Sequence, residues 1–126
     1  MLVNPADLVA KAKATISECS IRDVEGCLAP NALLIDIREP AEYQRGHIPG
    51  ATLIPRGLLE FEIHTLVDRH IHGKGIANAD TPIVLYCGTG GRSALAAESV
   101  QKLGYNNVRS MAGGIVAWSE AGLPLE

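Results

Sequence analysis

The sequence predicts an α/β fold, a central and mainly parallel five-stranded sheet flanked by helices on both faces. Three observations carry that prediction. Short apolar runs alternate with helical spacings over the whole length. Two of those runs, Ala32–Ile37 and Ile83–Tyr86, are apolar almost without interruption, as strands buried on both faces of a parallel sheet are. Residues able to do chemistry fall just where the runs end, at the carboxyl edge where open α/β sheets hold their ligands.

The elements follow in order. Asn4-Pro5 reads as a cap followed by a first helical proline, and Leu8, Val9, Ala12 and Ile16 recur at helical spacing, which predicts a helix over 5–16. Cys19 belongs to a short strand, and Ser20 with Asp23 resembles a capping box opening a helix through Leu28. Cys19 and Cys27 read as small core residues. A strand over Ala32–Arg38 is followed by a short helix from Glu39, ended near Gly46. His47-Ile48-Pro49-Gly50 is a turn, with His47 locking it by a hydrogen bond, and Ala51–Ile54 is a short strand.

Leu58–His64 predicts a turn or two of helix, and Thr65–Thr81 a long loop punctuated by Gly73 and Gly75, of the kind that frames a pocket. His64, His70 and His72 lack neighbouring cysteines and are not read as a metal site. Beyond the strand ending at Tyr86, Ala94, Leu95, Ala97, Val100 and Leu103 mark a helix closed by Gly104. Val108–Met111 is a strand, and Gly113-Gly114 opens a last helix whose Trp118 packs on the sheet.

At 126 residues, with 47% hydrophobic and 20% charged residues, the chain suits one globular domain. A net charge of −3 gives no footing for nucleic acid or an anionic membrane. No apolar run reaches the roughly 18 residues of a membrane span. Three cysteines without C-x-x-C spacing suggest neither a disulfide framework nor zinc, so a reducing cytoplasm is the expected home.

The candidate for chemistry is Cys87. A strand delivers it into Gly88-Thr89-Gly90-Gly91-Arg92 at the start of a helix. Backbone N–H groups of such a loop converge on one point, and the helix dipole adds partial positive charge there. Both favour thiolate over thiol. Asp36 and Arg38, at the end of the neighbouring strand, read as an ion pair or hydrogen bonds that tie down the following loop. Arg56 also follows a strand end, either reaching the mouth toward an anion or lying on the surface.

Three blocks resemble the rhodanese (thiosulfate sulfurtransferase) family. They are Leu34–Pro40 with Glu42-Tyr43 and Gly46–Ala51, the Cys87–Ser93 loop, and Gly113–Trp118. The resemblance covers about residues 20–124 and divides the chain into an N-terminal helix extension, 1–18, and a rhodanese domain, 19–126. It implies a sulfurtransferase in which Cys87 attacks the sulfane sulfur of a donor such as thiosulfate, carries a persulfide, and passes the sulfur to an acceptor such as cyanide. It implies no cofactor and no metal. The partners it implies are small sulfur donors and acceptors, and a protein as a further acceptor. The second reading is a persulfide carrier or sulfide-sensing module that delivers sulfur to a protein partner.

In that scheme the amides of Gly88–Arg92 stabilise the departing anion and the terminal sulfur. Thr89 either hydrogen-bonds one of them or is a solvated loop residue, and Arg92 either adds charge to the cup or locks the loop onto Asp36. Related phosphatases and arsenate reductases place five residues between Cys and Arg, whereas four intervene here, which suits a sulfur atom. None of the four is charged, so donor selectivity is sought at Arg56 and in the His64–Lys74 segment.

Overall fold

A computed structural model describes residues 1–26, 28–71 and 78–126. In chain order the elements are α1 (Pro5–Lys13), β1 (Ser17–Cys19), α2 (Ile21–Gly26), β2 (Leu33–Asp36), α3 (Pro40–Arg45), β3 (Thr52–Leu53), α4 (Leu59–His70), β4 (Ile83–Tyr86), α5 (Gly91–Lys102), β5 (Val108–Met111) and α6 (Gly114–Glu120). The five strands form one sheet in the order β1-β5-β4-β2-β3, and every pairing is parallel. All four residues of β2 and all four of β4 are buried, which is why their sequences are apolar rather than alternating.

Successive strand residues face opposite layers. Leu33, Ile35, Ile83 and Leu85 join Leu59, Ile63 and Val67 of α4 and Ala96, Ala97 and Val100 of α5 in one apolar cluster. Leu34, Val84 and Tyr86 join Val24 of α2 and Ile115 and Trp118 of α6 in the other. Removing these side chains from water, at roughly 25 cal/mol per Å² of apolar surface, is the main force that clamps helices to both faces.

Several local expectations hold. Asn4 caps α1 through Oδ1, which accepts the Ala6 N–H at 2.8 Å, and Pro5 opens the helix. Asp23 accepts the Ser20 N–H at 2.9 Å while the Ser20 hydroxyl accepts the Asp23 N–H at 3.2 Å, a reciprocal capping box. His47 stacks on Tyr43 with ring centroids 3.7 Å apart, and its Nδ1 lies 3.2 Å from the Tyr43 carbonyl.

Two expectations are corrected. The first helix ends at Lys13, not Ile16, where the Thr15 hydroxyl donates to the Ala12 carbonyl at 2.9 Å and the chain turns into β1. The segment from Thr65 is not loop as far as His70, because α4 runs over twelve residues. Leu59, Ile63 and Val67 form its buried stripe at four-residue spacing. Cys27, His72 and Gly73–Ala77 lie outside the described residues.

Candidate active site

β4 is the central strand, so Cys87 emerges at the middle of the sheet's carboxyl edge, directly before α5. Its side chain is 1% exposed. The chain turns around the sulfur, and the N–H groups of Gly90 and Ser93 donate to Sγ at 3.1 and 3.4 Å. Gly90 adopts φ +100° as the cap of α5, a conformation that disfavours any side chain.

The Ser93 hydroxyl lies 3.5 Å from Sγ and 2.8 Å from the Ser110 hydroxyl of β5, and both serines are fully buried. When the sulfur is a thiolate, Ser110 donates to Ser93 and Ser93 donates to sulfur. Burial alone pushes the Cys87 thiol up. Hydrogen bonds from the Ser93 hydroxyl and from the N–H groups of Ser93, Gly90 and Thr89 outweigh burial and hold it below the ordinary thiol value.

Inward-facing amides leave carbonyls to be satisfied elsewhere, and α6 does this. Its Ile115 N–H donates to the Cys87 carbonyl at 2.9 Å and its Val116 N–H to the Gly88 carbonyl at 3.0 Å. The approach is so close that a Cβ on Gly114, which sits at φ +59°, would overlap the Gly88 carbonyl. That contact accounts for the second of the two glycines opening the third block, while the first, at φ +80°, would drive a Cβ into that of Ala117.

Asp36 is fully buried. Its carboxylate accepts Arg38 Nε at 3.0 Å and Nη2 at 2.7 Å, and the Tyr86 hydroxyl at 2.7 Å. Tyr86 in turn accepts the Ile48 N–H at 3.1 Å, and Arg38 Nη2 donates to the Gly46 carbonyl at 2.8 Å. Burial pushes the Tyr86 phenol far above its usual range, and Asp36 adds to this, so it stays a donor. The network pins the Gly46–Ile48 turn to the residue preceding Cys87.

Arg92 does not reach Asp36 as one alternative expected, because Asp36 is already taken. Its guanidinium instead forks onto Glu42 of α3, Nη1 to Oε1 at 2.9 Å and Nη2 to Oε2 at 3.1 Å. Arg92 nevertheless stands at the cup, with Nη2 3.2 Å from where a Cβ on Gly88 would lie. The Thr89 side chain is exposed, while its N–H is among the donors to Cys87. Gly91 is half-buried and sits under Val9 of α1.

The guanidinium of Arg56 bonds Glu60 at 2.8 Å and the Ser99 hydroxyl at 3.1 Å, and neither partner belongs to the Cys87 loop. His64 bonds the Tyr105 hydroxyl at 2.6 Å and His70 the Asn31 carbonyl. Neither histidine touches the loop through these bonds. Ser93, Ser110, Glu42 and Tyr86 are the site residues that sequence reasoning did not single out. The hint for Glu42 was its place in the first block, and nothing local marked Ser110.

Fold and loop together define an α/β domain with a deeply set cysteine at a strand-to-helix turn. The chain belongs to the rhodanese family: the rhodanese-like domain matches residues 22–121. It is 35% identical to a sulfurtransferase of Allochromatium vinosum over 95 residues, covering 75% of this chain and 78% of that one. It is 42% identical over 89 residues to the probable adenylyltransferase/sulfurtransferase MoeZ of Mycobacterium tuberculosis. That match covers 69% of this chain and spans only 20% of the MoeZ length.

A solved Rhodopseudomonas palustris protein of unknown function, described as a possible tyrosine phosphatase, superposes with a TM-score of 0.81 at 32% identity, covering 100% of this chain and 96% of that one. Other relatives include a chain named a putative sulfur carrier protein, of Bacillus subtilis, 31% identical over 86 residues that cover 68% of this chain and 40% of that one. Among the described residues no helix is long and apolar enough to cross a membrane.

Proposed function

We propose that Cys87 is the nucleophile of a sulfane-sulfur transfer that proceeds through a Cys87 persulfide. The observation that carries this reading is the set of donors converging on Sγ, which favour thiolate over thiol in a loop whose four residues between Cys87 and Arg92 are uncharged. The thiolate attacks the outer sulfur of a donor. With thiosulfate, the new S–S bond forms as the S–S bond of the donor breaks and sulfite leaves with its electron pair. The persulfide places a second sulfur about 2 Å farther out. An acceptor then reaches the terminal sulfur more readily than the buried Sγ. Cyanide attacks it, giving thiocyanate and restoring the thiolate.

Amides of the loop balance the charge on both sulfurs without moving during the reaction, which is the electrostatic part of catalysis. In this reading Arg92 and Thr89 face the departing anion at the lip. Arg56 contributes only if its guanidinium leaves Glu60 and Ser99. Four residues between Cys87 and Arg92 suit sulfur, and this weighs against phosphate chemistry here.

Protein-to-protein delivery is the second reading. It is favoured by a relative named a putative sulfur carrier protein, 31% identical over 86 residues. Thiocyanate release from thiosulfate and cyanide tests the enzyme reading. Turnover that vanishes in Cys87→Ala supports it, and equal turnover in that variant rejects it.

A further inference from the structure

Arg92 is the one charged side chain in the run Gly88–Arg92; Glu42 takes two of its N–H groups and is its main partner, and Cys87 is a lesser one. The pair is fork on fork, the strong arrangement for guanidinium and carboxylate. Glu42 is itself fixed, because the same Oε1 accepts the Glu39 N–H at 3.1 Å at the start of α3. Both partners stay partly wet, with side chains 45% and 28% exposed, so their charges meet an incoming donor rather than the core.

Beyond the pair lies a groove of about 370 Å³ between α3 and α6. Arg45 and Glu120 contribute one charge of each sign to it, and Arg38 is held by Asp36. Counted with their partners Asp36 and Arg92, the charged side chains of this groove sum to zero, on a chain of net charge −3.

We propose that Glu42 is a specificity-determining residue. By neutralising Arg92 it turns the Cys87 site away from dianionic thiosulfate and toward sulfane donors of single negative charge, thiosulfonates and organic persulfides. The proposal rests on the sulfur-transfer reading above. With a thiosulfonate, the Cys87 thiolate bonds the terminal sulfur, the bond from that sulfur to the sulfonyl group breaks, and a sulfinate leaves with the electron pair. Charge is conserved, one negative on the enzyme persulfide and one on the sulfinate, and no oxidant is needed.

Thiosulfate and methanethiosulfonate form a matched pair that differs by one charge. With cyanide as acceptor and about 0.01 M salt, where screening is weak, kcat/KM for both is compared in the wild type and in Glu42→Gln. Glutamine keeps an oxygen for the Glu39 N–H and for Arg92 but removes the charge. The wild-type preference for methanethiosulfonate should shrink roughly tenfold in the variant, about 1.4 kcal/mol, chiefly through the KM for thiosulfate.

An unchanged ratio in a folded variant overturns the proposal while leaving sulfur transfer intact. Absence of transfer from both donors to the wild type overturns the underlying reading instead. Salt dependence of the wild type decides the matter should the variant fail to fold. Thiosulfate kcat/KM that holds or rises between about 0.01 and about 0.1 M salt supports a neutral mouth, and a steep fall contradicts it.

Discussion

Removing the Ser93 hydroxyl isolates the physical basis of Cys87 activation. It is one of four groups that lower the Cys87 pKa, and Ser93→Ala leaves the N–H donors of Ser93, Gly90 and Thr89 in place. A hydrogen bond to a charged group contributes about 1.5–3 kcal/mol. The 3.5 Å separation puts this one at the lower end. About 1.5 kcal/mol corresponds to a rise of about one pK unit. Below both pKa values the variant then holds about one tenth as much thiolate. Each remaining thiolate is about threefold more nucleophilic because its basicity has risen.

Alkylation of Cys87 by iodoacetamide, followed by mass across pH, should thus run about threefold slower at the acid end. It should also show a midpoint about one unit higher. At alkaline pH the variant should overtake the wild type. Ser110→Ala should act in the same direction with a smaller shift, since Ser110 reaches the sulfur only through Ser93. Coincident pH profiles for Ser93→Ala and wild type would refute the claim that the hydroxyl stabilises the thiolate.

Two further outcomes follow from the supports around the loop. Gly114→Ala puts a methyl group into the Gly88 carbonyl at a positive φ. It should cost about 3 kcal/mol or more in urea unfolding and slow Cys87 alkylation, and a loss below about 1 kcal/mol would show that α6 gives way freely. Arg92 and the Glu39 N–H hold the Glu42 carboxyl down at about 2, so its pairing stabilises the fold above about pH 4.5, and that contribution is lost as pH falls toward 2. The acid-induced loss of stability in that window should be smaller in Glu42→Gln, by about 1 kcal/mol after allowance for exposure, and identical acid limbs would contradict the assignment.

Features encoded within a few residues were readable in the sequence. The unit from Ile83 to Val100 places an apolar strand, the cysteine, three glycines and a helical stripe in succession, so β4, the loop and α5 could be located by pattern alone. The capping of α1 and α2 was equally local. The end of α4 was not, because its polar face carries Glu62, His64, Thr65 and Arg69, and only the stripe Leu59-Ile63-Val67 marks it as helix.

Partnerships across the fold were hidden for a different reason. Arg92 and Glu42 are fifty positions apart, and Ser93 meets Ser110 seventeen positions away. Charge and polarity show that each residue needs a partner, but only the packing of α3 against the loop and of β5 beside β4 selects which one. Gly114 shows the same limit. Its two-glycine start reads as a helix boundary, whereas the actual demand is the close approach of α6 to the Cys87 and Gly88 carbonyls.

The central claim is that Cys87 carries a transferable sulfur. Its most direct test is the intact mass of the protein after incubation with a sulfane donor, thiosulfate or methanethiosulfonate, and removal of excess reagent. The expected result is a gain of one sulfur atom, mapped to the peptide holding Cys87 and absent in Cys87→Ala, that disappears on adding cyanide as thiocyanate is released. A protein whose mass is unchanged by either donor, or whose added sulfur sits on Cys19, would contradict it.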